Sequence, residues 1–289
     1  MTSSWFRRLG VALAAFALAP ALSACGAEKA LPLANSLSDR PVVLPSSEVR
    51  TLASSSTGRS YDLYISYPEG YPGTGASKYP VVYLLDAQWD FKLLQAIYED
   101  QEYDKRIPPL LIVGITHAGT DPDYGALRAR DYTPVPAEGV PGSGDGPAFL
   151  RFLRTELIPY VESGFRADPA RRVIMGSSYG GLFALYSMLT DPGLFYGYVA
   201  ASPAVMFGKA AVVRQAEAYA ARHDDLPVRL WIGVGGTEPL RPAVRSFWES
   251  LTARRYPGLD LRTRELDDEG HSGSKPEAYS RGLRFVFSP

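Results

Sequence analysis

The sequence predicts an α/β fold, a mostly parallel central sheet with helices on both faces, and three observations lead there. From residue 79 onward, short β-branched or apolar runs alternate with segments of helical periodicity. Two of those runs, residues 79–85 and 109–115, are apolar nearly throughout, as strands covered on both faces must be. Once an N-terminal leader is set aside, about 245 residues remain, enough for one domain with a large core.

Residues 48–56 and 60–67 read as strands, the second alternating polar and apolar groups as S-Y-D-L-Y-I-S-Y. Gly58 supplies the turn between them, and such an antiparallel pair extends the edge of the sheet. A Pro/Gly loop at 71–77 precedes the buried strand 79–85. Phe91, Leu94 and Tyr98 give residues 90–100 a helical stripe, and 109–115 is the next buried strand. Phe149, Phe152, Leu153, Leu157 and Tyr160 place residues 148–161 on one helix. A strand from Arg172 runs into Gly176. Helix 181–190, strand 197–201, helix 210–222, strand 228–234, helix 242–254 and strand 259–266 follow. No internal repeat and no C-terminal domain boundary interrupts the series.

The first two dozen residues form an export signal rather than part of the fold. Arg7 and Arg8 precede an alanine- and leucine-rich stretch, residues 9–22, which ends in Leu22-Ser23-Ala24-Cys25. That stretch is short for a membrane span. It resembles a bacterial lipoprotein signal, which implies cleavage before Cys25 and acylation of its sulfur, with residues 25–45 as a tether from the envelope membrane to a single domain at 46–289. An ordinary signal peptide, giving a soluble secreted or periplasmic protein, is the alternative. Cys25 is the only cysteine, so the domain has no intramolecular disulfide and no thiol nucleophile. Loss of Arg7 and Arg8 leaves 28 basic against 31 acidic groups, without the clustered basic face a nucleic-acid binder needs.

The chemistry centres on R-V-I-M-G-S-S-Y-G-G-L-F-A, residues 172–184. A β-branched run enters Gly176-Ser177-Ser178-Tyr179-Gly180 and opens into an apolar helix, the strand, tight turn and helix that expose a nucleophilic serine in α/β-hydrolases. Glycines two before and two after Ser178 leave room where the turn is most crowded. A serine hydroxyl needs a base, and only His117, His223 and His271 exist. Chain order in this fold runs nucleophile, acid, histidine, which selects His271, just after the last strand. For the acid, strand 228–234 leads into Gly235-Gly236-Thr237-Glu238, a turn that delivers a carboxylate at a strand's carboxyl end. Asp267 and Asp268 are the alternatives, nearer His271 in sequence. The Tyr179 N–H supplies one oxyanion donor, and the loop Asp86-Ala87-Gln88 supplies the other.

These residues resemble the esterase family of α/β-hydrolases that includes the enterochelin (ferric siderophore) esterases and is related to the S-formylglutathione hydrolases and mycolyltransferases. The similar segments are Y-L-L-D-A-Q-W-D-F, R-D-Y-T-P, F-L-R-T-E-L-I-P-Y, I-M-G-S-S-Y-G-G-L-F-A-L-Y, A-S-P at 201–203, the G-G-T-E turn and Gly270-His271-Ser272. The resemblance implies Ser178 as nucleophile, Glu238 as acid, His271 as base and Gln88 as second oxyanion donor. Ala87 stands where the family usually has glycine. It further implies that residues 130–134 line the substrate cleft, with Arg130 and Tyr132 beside Trp89. Arg130 then either faces substrate or pairs with Asp131. The proline- and glycine-rich loop 134–147 shapes a rim.

The mechanism calls for no cofactor, and three scattered histidines offer no metal-ligand spacing. The expected reaction is hydrolysis of a small-molecule ester through an acyl-enzyme, with siderophore lactones, acyl sugars and feruloyl-type esters as open substrates. Acyl transfer onto an envelope acceptor and ligand binding without catalysis are the rival readings.

Overall fold

The computed structural model describes residues 42–71 and 77–288, and the compact unit begins at Leu44. The signal, Cys25 and nearly all of the tether expected at 25–45 lie outside the described residues, as does the middle of the 71–77 loop. Among the described residues no helix is long and apolar enough to cross a membrane.

The domain is an eight-stranded mixed sheet. In chain order its strands are β1 (Ser47–Ala53), β2 (Ser60–Ser66), β3 (Tyr79–Leu84), β4 (Leu111–His117), β5 (Ala167–Ser177), β6 (Gly197–Ala201), β7 (Arg229–Gly235) and β8 (Asp260–Leu266). In space they run β1-β2-β4-β3-β5-β6-β7-β8. The β1–β2 and β2–β4 pairings are antiparallel and every later pairing is parallel. The antiparallel first pair therefore sits at the edge, as its alternating pattern requires, and the apolar strands fill the middle.

Successive side chains of a strand point to opposite faces, so each central strand feeds two cores. Val81, Tyr83, Val113, Ile174, Tyr198 and Ile232 face one layer, built with Phe149, Phe152, Phe183, Val212 and Phe247. Val82, Leu84, Ile112, Val173, Val199 and Trp231 face the other, built with Phe91, Leu94, Tyr279 and Leu283. The second face is covered by α1 (Ala87–Tyr103) and α8 (Lys275–Phe287). The first carries α3 (Gly146–Phe152), α4 (Ile158–Gly164), α5 (Tyr179–Thr190), α6 (Phe207–Ala220) and α7 (Arg241–Arg254).

Three elements differ from the sequence reading. The single helix expected at 148–161 is α3 and α4 joined by one widened turn at Leu153–Leu157. Pro159 follows at once; it has no N–H to donate and its ring crowds the preceding turn, which the wider turn relieves. A short helix, α2 (Tyr124–Asp131), lies where no helix is expected. A helix beyond the last expected strand, α8, buries Ala278, Tyr279, Leu283 and Val286 at helical spacing. Parallel strands carry their carboxyl ends to one edge, and the loops after β3, β5, β6, β7 and β8 gather there.

Candidate active site

Ser178 stands between β5 and α5 with φ 59° and ψ −115°, a backbone state in which a Cβ is crowded. The surroundings enforce it. A Cβ on Gly176 would lie 2.7 Å from the Gly180 carbonyl carbon, so that position accepts only glycine. The Ser178 N–H donates to Ala201 O at 2.9 Å, and its carbonyl receives the Leu182 N–H at 2.9 Å, which starts α5.

Glu238 arrives on the turn after β7, with its side chain 1 % exposed. Its Oε2 lies 2.6 Å from His271 Nδ1. Its Oε1 accepts from the Gly235 N–H at 2.6 Å and from the Ser202 hydroxyl. Burial opposes ionisation of Glu238, but the hydrogen bonds from His271, Ser202 and the Gly235 N–H outweigh it and hold the carboxyl below the usual glutamate value. The turn is stitched to the histidine loop. Gly236 N–H donates to Leu266 O at 2.7 Å, and Thr237 donates to Glu269 O through its N–H at 3.1 Å and its hydroxyl at 2.9 Å. Asp267 and Asp268 are exposed on the same loop, and His271 takes Glu238 as its carboxylate partner instead.

The other two histidines are engaged elsewhere. His223 stacks on Tyr219 at 4.3 Å between ring centroids. His117 is buried, with Nε2 2.8 Å from Asp131 Oδ2, which also accepts from the Tyr61 hydroxyl at 2.7 Å; Arg59 pairs with Oδ1. Burial and the adjacent Asp131 carboxylate push the Tyr61 phenol well up. Asp131 therefore ties β2, β4 and α2 together. Its replacement by alanine takes the shared acceptor from Arg59, Tyr61 and His117, leaves a largely buried cation without its nearest carboxylate, and is expected to cost about 3–5 kcal/mol in urea denaturation.

Ser178 and His271 line one cleft of about 440 Å³, together with Asp86, Trp89, Asp90, Arg128, Ser177, Ser272 and Lys275. Two buried acids, each paired with a base, make its floor. Asp86 receives Arg128 Nε at 2.8 Å and Nη2 at 2.7 Å; Asp90 receives Lys275 Nζ at 2.8 Å and the Tyr279 hydroxyl at 2.6 Å. Trp89 is 47 % exposed and forms an aromatic wall. Tyr179 and Gln88 occupy the first turns of α5 and α1, where backbone N–H groups have no intrahelical acceptor.

The segment 130–134 does not line this cleft. The arginine that does is Arg128, two residues earlier on α2; Arg130 packs against Gly142, and its neighbour Asp131 pairs with Arg59 and His117 rather than with it. Tyr132 is a core residue, 1 % exposed and packed on Phe149 and Phe183, whose hydroxyl accepts the Asp86 N–H at 3.4 Å from behind the loop. The loop 134–147 sets Val135 against Gly208 rather than in the cleft.

A family model described as "Putative esterase" matches residues 54–267. The chain belongs to this esterase family. The esterase is 29 % identical over 266 residues to the ferri-bacillibactin esterase BesA of Bacillus subtilis, covering 85 % of this chain and 91 % of that one. It is 30 % identical over 232 residues to the siderophore triacetylfusarinine C esterase of Aspergillus fumigatus, covering 77 % of this chain and 79 % of the relative. Among solved structures, an IroE-like serine hydrolase from Shewanella oneidensis superposes with a TM-score of 0.74 at 27 % identity, over 83 % of this chain and 80 % of that one. The esterase is a carboxylic ester hydrolase related to siderophore esterases.

Proposed function

We propose that the chain is a serine esterase that opens the ester bonds of a siderophore or a similar small acyl ester through a Ser178–His271–Glu238 triad. The observation that carries the reading is a buried carboxylate bound at 2.6 Å to an imidazole that shares a cleft with a serine held in a strained turn. Glu238 fixes the His271 tautomer with the proton on Nδ1, leaving Nε2 to accept the Ser178 proton as Oγ attacks the ester carbonyl. The carbonyl oxygen becomes an oxyanion, stabilised by the N–H groups of Tyr179 and Gln88. Collapse of this intermediate expels the alcohol, which takes the proton from His271. Water then attacks the acyl-enzyme by the reverse sequence.

Hydrolysis is favoured over acyl transfer because the base is open to solvent: the His271 side chain is 42 % exposed, and Trp89 in the same cleft is 47 % exposed. The names of the relatives point to siderophore esters as the first substrates to test. The test is a fluorophosphonate probe followed by peptide mapping, beside hydrolysis of ferri-bacillibactin, feruloyl esters and p-nitrophenyl butyrate. Labelling at Ser178 with turnover of one of these esters is expected; a folded protein left unlabelled at Ser178 rejects the reading.

We further propose export and lipid attachment at Cys25, on the charged, apolar and small-residue order of residues 1–25. Cells expressing the full-length protein should incorporate radiolabelled palmitate, and Cys25→Ala should abolish it; equal labelling of both forms rules the anchor out.

A further inference from the structure

Arg128 does more than line the cleft. The two N–H groups assigned to the oxyanion sit just past separate strand-to-helix loops, Gln88 in the first turn of α1 after β3 and Tyr179 in the first turn of α5 after β5. Those loops adjoin because β3 and β5 pair in parallel, yet strand pairing ends at Leu84 and Met175, before either donor is reached. Beyond that point Arg128 spans the gap. Its Nε and Nη2 hold both carboxylate oxygens of Asp86, at 2.8 and 2.7 Å, and Nη2 also reaches Ser177 O at 3.4 Å. Its guanidinium lies 5.0 Å from the Tyr179 ring centre and 5.7 Å from that of Trp89. Asp86 itself holds a left-handed conformation, φ 58°, immediately before α1, so the pair fixes the bend that aims the first turn of that helix. The Asp86 carboxylate also abuts the elbow: a Cβ on Gly180 would stand 3.4 Å from Oδ2.

We infer that Arg128 is a positioning residue that clamps the two oxyanion loops at a fixed separation through Asp86 and Ser177, an inference that rests on the serine-esterase reading above. Its planar fork suits this task, because two parallel N–H···O bonds fix direction as well as distance, whereas a lysine holds one oxygen through a point charge. Its charge is spent on Asp86, so it is not a free cation awaiting substrate. The clamp acts on the transition state, where the oxyanion forms, and leaves ground-state binding of the ester nearly untouched.

The test uses the full-length protein with p-nitrophenyl butyrate and a trifluoromethyl ketone, which forms a tetrahedral oxyanion adduct on the nucleophile. For Arg128→Ala we expect kcat to fall by roughly 30- to 100-fold, KM to stay within about twofold, and ketone affinity to fall in parallel with kcat/KM. Added guanidinium should restore part of the rate. Arg128→Lys, which keeps charge and most of the volume, should lose about tenfold in kcat with an unchanged melting temperature, and it carries the same test if the alanine variant does not fold. Asp86→Ala should resemble Arg128→Ala, and the double variant should be little worse than either. A raised KM with wild-type kcat would make Arg128 a substrate ligand and overturn the clamp; so would wild-type kcat in Arg128→Lys. Ser178→Ala separates the two readings. If it retains activity the triad falls, whereas if it is inactive and the Arg128 variants are not impaired in kcat, only the clamp falls.

Discussion

Ser178→Ala is expected to lower kcat for ester hydrolysis by at least about 10⁴-fold while the protein stays folded, because of the three serines that line the His271 cleft only Ser178, and not Ser177 or Ser272, holds the strained backbone position between β5 and α5. The methyl side chain keeps the Cβ and hence the strain. Ser178→Gly removes it. Backbone strain of this kind is worth about 1–3 kcal/mol, and the added chain entropy of glycine offsets about 0.5–1 kcal/mol of the relief. The glycine variant should therefore be inactive and yet melt at or above the wild-type temperature, by differential scanning calorimetry. A glycine variant that melts several degrees below wild type would mean that the turn is held without strain.

Glu238→Gln is expected to be the next most damaging change, lowering kcat by about 10³- to 10⁴-fold. An amide can turn its oxygen to His271 or toward the Gly235 N–H and Ser202 hydroxyl, but its NH₂ group must then face a donor. Presented to His271 Nδ1, the NH₂ stabilises the wrong tautomer. Presented to Gly235 and Ser202, it leaves the buried Gly235 N–H unsatisfied, at about 1–3 kcal/mol. The pH dependence gives an independent check. The Glu238 carboxyl titrates below its ordinary value in the folded protein, so its stabilising contribution is complete above about pH 4.5 and is lost as the pH falls through the folded value. The stability difference between wild type and Glu238→Gln should accordingly narrow on acidification below that point, measured by urea denaturation. A gap independent of pH would exclude an ionised Glu238.

The sequence made the sheet legible from its apolar runs, and it singled out Ser178, Glu238 and His271, which the fold brings to one edge, because strand ends and chain order are linear properties. Arg128 was not legible. Residues 124–131, Y-G-A-L-R-A-R-D, span little more than two turns and carry no sustained apolar stripe, so the sequence shows no sign of a helix there, and without a helix nothing distinguishes Arg128 from Arg130. On a helix they point about 200° apart, which sends one to the Asp86 loop and the other toward Gly142. Pairing of Arg130 with Asp131 is one of the two alternatives the sequence leaves open, and only the return of β2 and β4 shows that Arg59, Tyr61 and His117 claim Asp131 instead. The α8 helix, by contrast, is legible in the spacing of Ala278, Tyr279, Leu283 and Val286.

The α8 helix ties the histidine loop to the helix that opens after β3. It begins four residues after His271, lies against the middle strands, and is fastened to α1 by Lys275 and Tyr279 on the single acid Asp90. A polypeptide clipped short of Lys275 would keep the serine bend and the Glu238 turn but lose the helix into which the His271 loop runs. Docking of α8 on the sheet is thus a condition for a fixed His271 loop, alongside the turn that carries Glu238.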